Sequence, residues 1–163
     1  IEHNWSDGHG LYGFWMDGAS NGIARDNSAT GNAASGIYIC HGVSQTAIGN
    51  HLFDNDVGLD LADDTGVTVT QNDFHGSHRY GLNVVRSQVS ILTDNTFVGH
   101  HVAPLSVIRI DCDDNRLVNN TGSDTSQPFI RGTQGSGHHA TGTILPGAAR
   151  TPSAPPQNGT AHV

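Results

Sequence analysis

A single spacing, repeated along the chain, limits the folds open to it more than any other feature. Gly13, Gly36, Gly58 and Gly81 each open a run, at steps of 23 (36 − 13), 22 (58 − 36) and 23 (81 − 58). Asn4, Asn27, Asn50, Asn72 and Asn95 mark a second phase, at steps of 23, 23, 22 and 23. Two markers that keep one period together define a structural unit, and such a period is characteristic of repeat architectures. Each unit holds short alternating runs, such as Gly36-Ile-Tyr-Ile39 and Gly58-Leu-Asp-Leu61, followed by a second run such as Val67-Thr-Val69. Alternation with period two reads as strand, and no apolar run is long enough for a helix. A unit this short cannot bury its apolar side alone; stacking on its neighbours does so. A meander or sandwich would explain the strands but not the shared phase. The expected fold is therefore all-β: a right-handed parallel β-helix (solenoid) of about five to six coils, one for each step of the period.

The coils are expected to occupy residues 1–132. A fifth opens near Pro104, which keeps the step of 23 (104 − 81) but loses the glycine, with strands at Leu105-Ser-Val107 and Ile108-Arg-Ile110. Asn115 follows Asn95 at a step of only 20 (115 − 95), which predicts a shortened coil, and a degenerate last coil would use Phe129 and Ile130. From Thr133 the pattern fails. Gly135-Ser-Gly-His138-His139 and Pro146, Pro152, Pro155 and Pro156 read as an irregular tail or linker over 133–163, with the histidine pair solvated. Ile1 falls in mid-repeat, so further coils or another chain are expected at the N-terminal edge.

Composition narrows the chemistry. All seven basic residues are arginine, which excludes lysine-based Schiff-base chemistry. A net charge of −8 argues against nucleic acid, which needs a basic footprint. A polyanionic partner would need local arginines or a cation to offset that charge. Cys40 and Cys112 lie about three coils apart, too far for a disulfide at about 4.8 Å per strand layer. Both are read as free. No apolar run is long enough to span a membrane.

Side-chain alternation divides each coil into an inside and an outside. The pairs Phe14/Met16, Ile37/Ile39, Leu59/Leu61 and Leu82/Val84 should point inward. Trp15, Tyr38, Asp60, Asn83 and Ser106 form the outward column between them, and Gly18, His41, Asp63, Arg86 and Arg109 a second column at the strand end. Exposed aromatic rings beside carboxylates and arginines suit a sugar-binding groove. Ring faces take the C–H faces of a pyranose, and arginine takes a carboxylate through two parallel hydrogen bonds. A solvated face whose charges pair with one another is the plainer reading of the same residues. The asparagine column is read as structural, because stacked amides bond along the column and asparagine tolerates left-handed turns. Phe53, Phe74 and Phe97 are read as an internal stack. Asp63-Asp64 and Asp111 with Asp113-Asp114 offer the oxygens calcium prefers, but no calcium-loop motif accompanies them, so no resident metal or cofactor is expected, calcium being the one candidate considered.

The coils Gly36–Ile39, Gly58–Leu61 and Gly81–Val85, with their Asn-x-Phe turns and the stretch Arg79-Tyr-Gly-Leu-Asn-Val-Val85, resemble the β-helix module of alginate (mannuronan) C5-epimerases and related polysaccharide lyases over roughly residues 4–120. That family carries Asp-Pro-His after a Tyr-Gly-hydrophobic start. Here Tyr12-Gly13-Phe14 leads into Trp15-Met16-Asp17, and the nearest histidine is His41 in the next coil. The resemblance implies a secreted or extracellular protein acting on a uronate-containing polysaccharide as a lyase or epimerase. The residues that would carry this are His41 as base, Tyr38 as proton donor, Arg86 to neutralise the carboxylate, and Asp60 and Asp63 to orient them. Trp15, Asp17, Asn83 and Arg109 would bind substrate. A non-catalytic carbohydrate-binding or stalk module of a larger surface, tail-fibre or adhesin protein would use the same residues without turnover.

Overall fold

The computed structural model of the protein describes residues 1–99, 108–111, 116–122, 130–134 and 139–141. It is a parallel β-solenoid built from three sheets of six strands each. The first sheet stacks Trp5–Asp7, Ser28–Thr30, His51–Phe53, Asp73–His75, Thr96–Val98 and Thr121–Gly122. The second, with the longest strands, stacks Phe14–Asp17, Ser35–Cys40, Val57–Ala62, Tyr80–Val85, Ile108–Asp111 and Ile130–Gln134. The third stacks Ile23–Arg25, Thr46–Ile48, Thr68–Thr70, Ile91–Thr93, Arg116–Val118 and His139–Thr141. Each coil thus gives one strand to each sheet. Two runs per unit are readable as strands from alternation; the third is the Asn-x-Phe stretch, which pairs as a strand of its own. The parallel ladder also runs past residue 132, since Ile130–Gln134 and His139–Thr141 both pair with the coil before them. Among the described residues no helix is long and apolar enough to cross a membrane.

The opening glycines are required by close backbone approach. A Cβ on Gly13 would lie 2.6 Å from the Gly36 carbonyl oxygen, and one on Gly36 2.8 Å from that of Gly58. A Cβ on Gly58 would strike the Gly81 carbonyl and the Phe74 ring. No side chain fits where consecutive coils press together at this depth.

The core is a set of inward columns, one residue per coil. In the second sheet Phe14, Ile37, Leu59 and Leu82 are in register, as are Met16, Ile39, Leu61 and Val84. All are buried except Phe14, which is partly buried against the cluster. The first sheet contributes Ser6, Ala29, Leu52, Phe74 and Phe97, and the third Ala24, Ala47, Val69, Leu92 and Leu117. The interior therefore tapers: Ser6, Ala24, Ala29 and Ala47 leave it lean in the first two coils, while Phe74, Leu92 and Phe97 fill it further along. Each buried aliphatic or aromatic side chain contributes about 1.5–3 kcal/mol relative to exposure.

Phe74 and Phe97 stack inside, with ring centroids 4.6 Å apart and planes 4° apart. Phe53 does not join them. Its neighbour Leu52 is the residue in register with Phe74, and Phe53 pairs with His75 on the outer side. A shift of one residue changes faces in a strand, and Phe53 packs outside against the His51 and His75 rings.

The corner before each first-sheet strand holds an amide ladder. Asn27, Asn50, Asn72, Asn95 and Asn120 are fully or almost fully buried. Each Oδ1 from Asn50 onward accepts the backbone N–H and the Nδ2–H of the asparagine one coil earlier, at 2.8–3.1 Å. The sixth member of the series is Asn120, at a step of 25 from Asn95, so this coil is lengthened rather than shortened. Asn115 lies outside the described residues. A second, shorter ladder joins Asn32 to Asn55 (Nδ2 to Oδ1, 2.8 Å), with the Asn55 amide donating to the Ala29 carbonyl.

Candidate functional site

Register on the second sheet aligns Trp15, Tyr38, Asp60, Asn83 and Arg109 in one column. Arg109 therefore pairs with Asn83, not in the turn column where spacing from Pro104 puts it; Pro104, Leu105, Ser106 and Val107 lie outside the described residues. The fifth coil takes up the ladder later than a strict period allows, because Leu82 pairs with Ile108.

The aromatic end of the column is broader than its sequence signature. Trp15 is 57% exposed. Tyr12, which no periodicity marks, stacks on Tyr38 with centroids 4.6 Å apart and planes 21° apart, and tilts against Trp15 at 5.9 Å. Trp15 and Tyr38 lie 6.4 Å apart. Three rings thus form one platform on the lean first two coils. Burial, reinforced by the neighbouring Cys40 and Asp60, pushes the Tyr38 hydroxyl up to about 12, so it stays protonated near neutrality.

The polar end is more enclosed than expected. Asn83 is buried, at 7% exposure, and its Nδ2 donates to Asp60 Oδ1 at 2.8 Å. Its Oδ1 has no hydrogen-bond partner among the described residues. Asp60 and Tyr38 are half-buried.

The turn that ends each of the first four strands of the second sheet is left-handed: Gly18, His41, Asp63 and Arg86 have φ of 62°, 53°, 62° and 50°. Three of these four are not glycine, so the conformation belongs to the architecture rather than to one strained residue. It carries a line in which carboxylates alternate with nitrogen side chains. His41 Nδ1 lies 3.0 Å from Asp17 Oδ1, and His41 Nε2 3.8 Å from Asp63 Oδ2. Arg86 donates through Nε and Nη2 to the two Asp63 oxygens, both at 2.6 Å. Those bonds hold the Asp63 carboxyl below its usual range, and the His41 bond, followed by that of Cys40, does the same for Asp17. The Arg86 fork expected to meet a substrate carboxylate is spent on Asp63.

Asp64 has a structural task. It is buried, and its two oxygens accept from the backbone N–H groups of Gly42 (2.8 Å) and Ala62 (3.1 Å). Burial raises its pKa. Neither Asp63 nor Asp64 thus presents the open oxygen cluster read as a calcium candidate; Asp113 and Asp114 lie outside the described residues.

The Cys40 thiol is free and 1% exposed. It is not isolated: its Sγ accepts the Trp15 indole N–H at 3.2 Å and donates to Asp17 Oδ1 at 3.4 Å. Burial raises this thiol's pKa. The ligand atoms of Asp17, Cys40 and His41 all lie within 4.8 Å of one another. The period alone is enough to find this group, because Asp17 and Cys40 are one full step apart and pair in register. On the first sheet, His51, Asp73 and His75 sit beside Phe53, next to a groove of about 320 Å³ lined by Phe53, Asp54, His75, Gly76, Val98 and Gly99.

No curated protein and no solved structure matches the chain. The family model described as "Periplasmic copper-binding protein (NosD)" matches residues 1–143. These residues include all the described strands and the whole of the outward column, and a stacked parallel β-helix is what the family's fold requires. The chain belongs to the NosD family of periplasmic β-helix proteins.

Proposed function

We propose that the protein binds a uronate-containing polysaccharide outside the cytoplasm, along the outward face of the second sheet. The observation that supports this is the three-ring platform of Tyr12, Trp15 and Tyr38, continuous in register with Asp60 and Asn83. Large exposed aromatic surface on a strand face marks an interaction site. Rings spaced along a solenoid would meet successive sugars, and the Tyr38 hydroxyl and Asp60 carboxylate would meet their hydroxyls. Binding without turnover is favoured over lyase or epimerase chemistry, because Arg86 is already paired and no Asp-Pro-His segment is present. One observation favours the catalytic alternative: Tyr38 remains a proton donor, and His41, held by Asp17 at 3.0 Å, stands in the turn that ends the same strand. In that reading His41 removes the proton α to the uronate carboxylate and Tyr38 delivers one.

The test is calorimetric titration with neutral and uronate oligosaccharides, beside an absorbance assay for unsaturated uronate with and without calcium. Trp15→Ala and Tyr38→Ala should each weaken binding by about tenfold or more, equivalent to about 1.4 kcal/mol, while His41→Ala leaves it unchanged. Unsaturated product that disappears in His41→Ala and Tyr38→Phe would select the catalytic reading. Absence of both binding and product across the panel would remove both.

A further inference from the structure

We propose that Asp17, Cys40 and His41 form a three-ligand site for a thiophilic first-row metal ion of the Zn²⁺ class, seated at the strand end where the first two long-strand coils meet. The site stands without the glycan-binding reading, whose aromatic platform it borders at Trp15; Asp17 and His41 also enter the catalytic alternative.

The donor set is one carboxylate oxygen, one sulfur and one imidazole nitrogen. Asp17 Oδ1 is the hub, 3.0 Å from His41 Nδ1 and 3.4 Å from Cys40 Sγ, and the three donors lie within 4.8 Å of one another. A tetrahedral ion with bonds of about 2.0–2.3 Å holds its donors about 3.3–3.8 Å apart, so closing on an ion takes only small movements. The scaffold fixes all three. Register sets Cys40 beside Asp17 across the sheet, and the left-handed turn at His41 directs its ring back over the preceding coil. Trp15 adds a support from outside the donor set: its indole N–H bonds the sulfur at 3.2 Å. Hydrogen bonds of this kind orient metal ligands and tune them. The His41 and Asp17 side chains are 61% and 53% exposed, so the fourth position opens to solvent. Three protein ligands with an open position are the pattern of sites that exchange a ligand.

The chemistry of the donors selects the ion. Sulfur and imidazole suit zinc and copper, whereas calcium and magnesium want several oxygens and here find one carboxylate. With no ion bound, protons hold the group together: the Cys40 thiol donates to Asp17. Binding is a simple exchange, M²⁺ for the thiol proton, with the proton released to solvent and no change of oxidation state.

The test uses the full chain. Zn²⁺ is titrated calorimetrically, Co²⁺ reports the bond to sulfur through its thiolate charge-transfer absorption, and alkylation mapped by peptide reads Cys40 separately from Cys112. The expected result is one equivalent bound, a charge-transfer band that Cys40→Ser abolishes, and protection of Cys40 by Zn²⁺. His41→Ala and Asp17→Asn alter exposed side chains and should leave the fold intact. Each should weaken binding beyond the roughly 10–100-fold typical of an outer partner, and Trp15→Phe should fall within that roughly 10–100-fold range. The proposal is overturned if the folded chain takes up neither Zn²⁺ nor Co²⁺ stoichiometrically. It is also overturned if uptake survives in both His41→Ala and Asp17→Asn, or if Ca²⁺ displaces Zn²⁺ at equal concentration.

Discussion

The asparagine corner and the outward column of the second sheet share one period and one strand-to-strand spacing, yet they use it in opposite ways. At the corner the same residue recurs in five successive buried positions, from Asn27 to Asn120. In the outward column Trp15, Tyr38, Asp60 and Asn83 are all different. A tight turn buried from solvent leaves N–H and C=O groups that only a side chain carrying both a donor and an acceptor can satisfy in every coil, and an orphaned group costs about 1–3 kcal/mol. An outward strand position imposes no such demand, so its residues are free to differ and to serve something other than the stack. Repetition marks where the solenoid is held together. Departure from repetition marks where it has chemistry to offer.

The comparison breaks or sharpens at named positions. The largest effect is expected at Asn72. Its Oδ1 accepts from two Asn50 groups, and its Nδ2 donates to Ala47, Thr70 and Asn95. Asn72→Ala should cost about 3–5 kcal/mol in urea denaturation, as several buried groups lose partners at about 1–3 kcal/mol each. A loss below about 1 kcal/mol, the lower end of that range, would mean that the corner is held by its backbone alone. Leu59→Ala, in the column between Ile37 and Leu82, should cost about 2–5 kcal/mol from lost burial and the cavity left behind. Asp64 tests a column that repeats only in part, since its own N–H is met by the Ser87 hydroxyl rather than by another carboxylate. Asp64→Asn presents an amide to one of two N–H donors and should cost about 1–3 kcal/mol near neutral pH. Because the folded pKa of Asp64 lies above the unfolded one, the folded state holds the extra proton between them. Its contribution therefore declines as pH rises through that window, and Asp64→Asn should flatten the dependence. The smallest effect belongs to Arg86→Ala. The pair with Asp63 is exposed and screened by salt. Asp63 is depressed by Arg86, so the pair's contribution is present above the unfolded carboxylate pKa and fades as pH falls through the folded one. A melting temperature that drops as much for Arg86→Ala as for Asn72→Ala would erase the distinction between the two regions.

Much of this is legible in the sequence because a solenoid writes its register into its spacing. Ile37, Leu59 and Leu82 are readable as one inward column, and the asparagines as one corner, from phase alone. Phe53 is misplaced when proximity to the asparagine is taken as a face, whereas the face is set by parity along the strand: Leu52, not Phe53, pairs with Phe74. Arg109 and Asn120 escape the count because the steps from Leu82 to Ile108 and from Asn95 to Asn120 exceed the period of 22–23, and the regular spacing upstream gives no sign of it. Tyr12 escapes because it sits just before the glycine that opens its coil, more than a full period ahead of the Tyr38 it stacks on. The burial of Asn83 is hidden because it depends on what the neighbouring coil supplies at that height, whereas the Arg86–Asp63 pair, one step of 23 apart, follows the reading of that column as charges that pair with one another.

The taper of the interior has a dynamic consequence. A solenoid's stability is close to a sum over coils and their contacts, so local opening follows core content rather than position in the sheet. Amide protons of Ser35–Cys40, over Ala29 and Ala47, should exchange with solvent deuterium through smaller opening events than those of Tyr80–Val85, over Phe74 and Leu92. The strand end bearing Cys40 and His41 would then breathe more readily than the corresponding end at Val85 and Arg86, and a ligand joining Asp17 to that strand would slow exchange there.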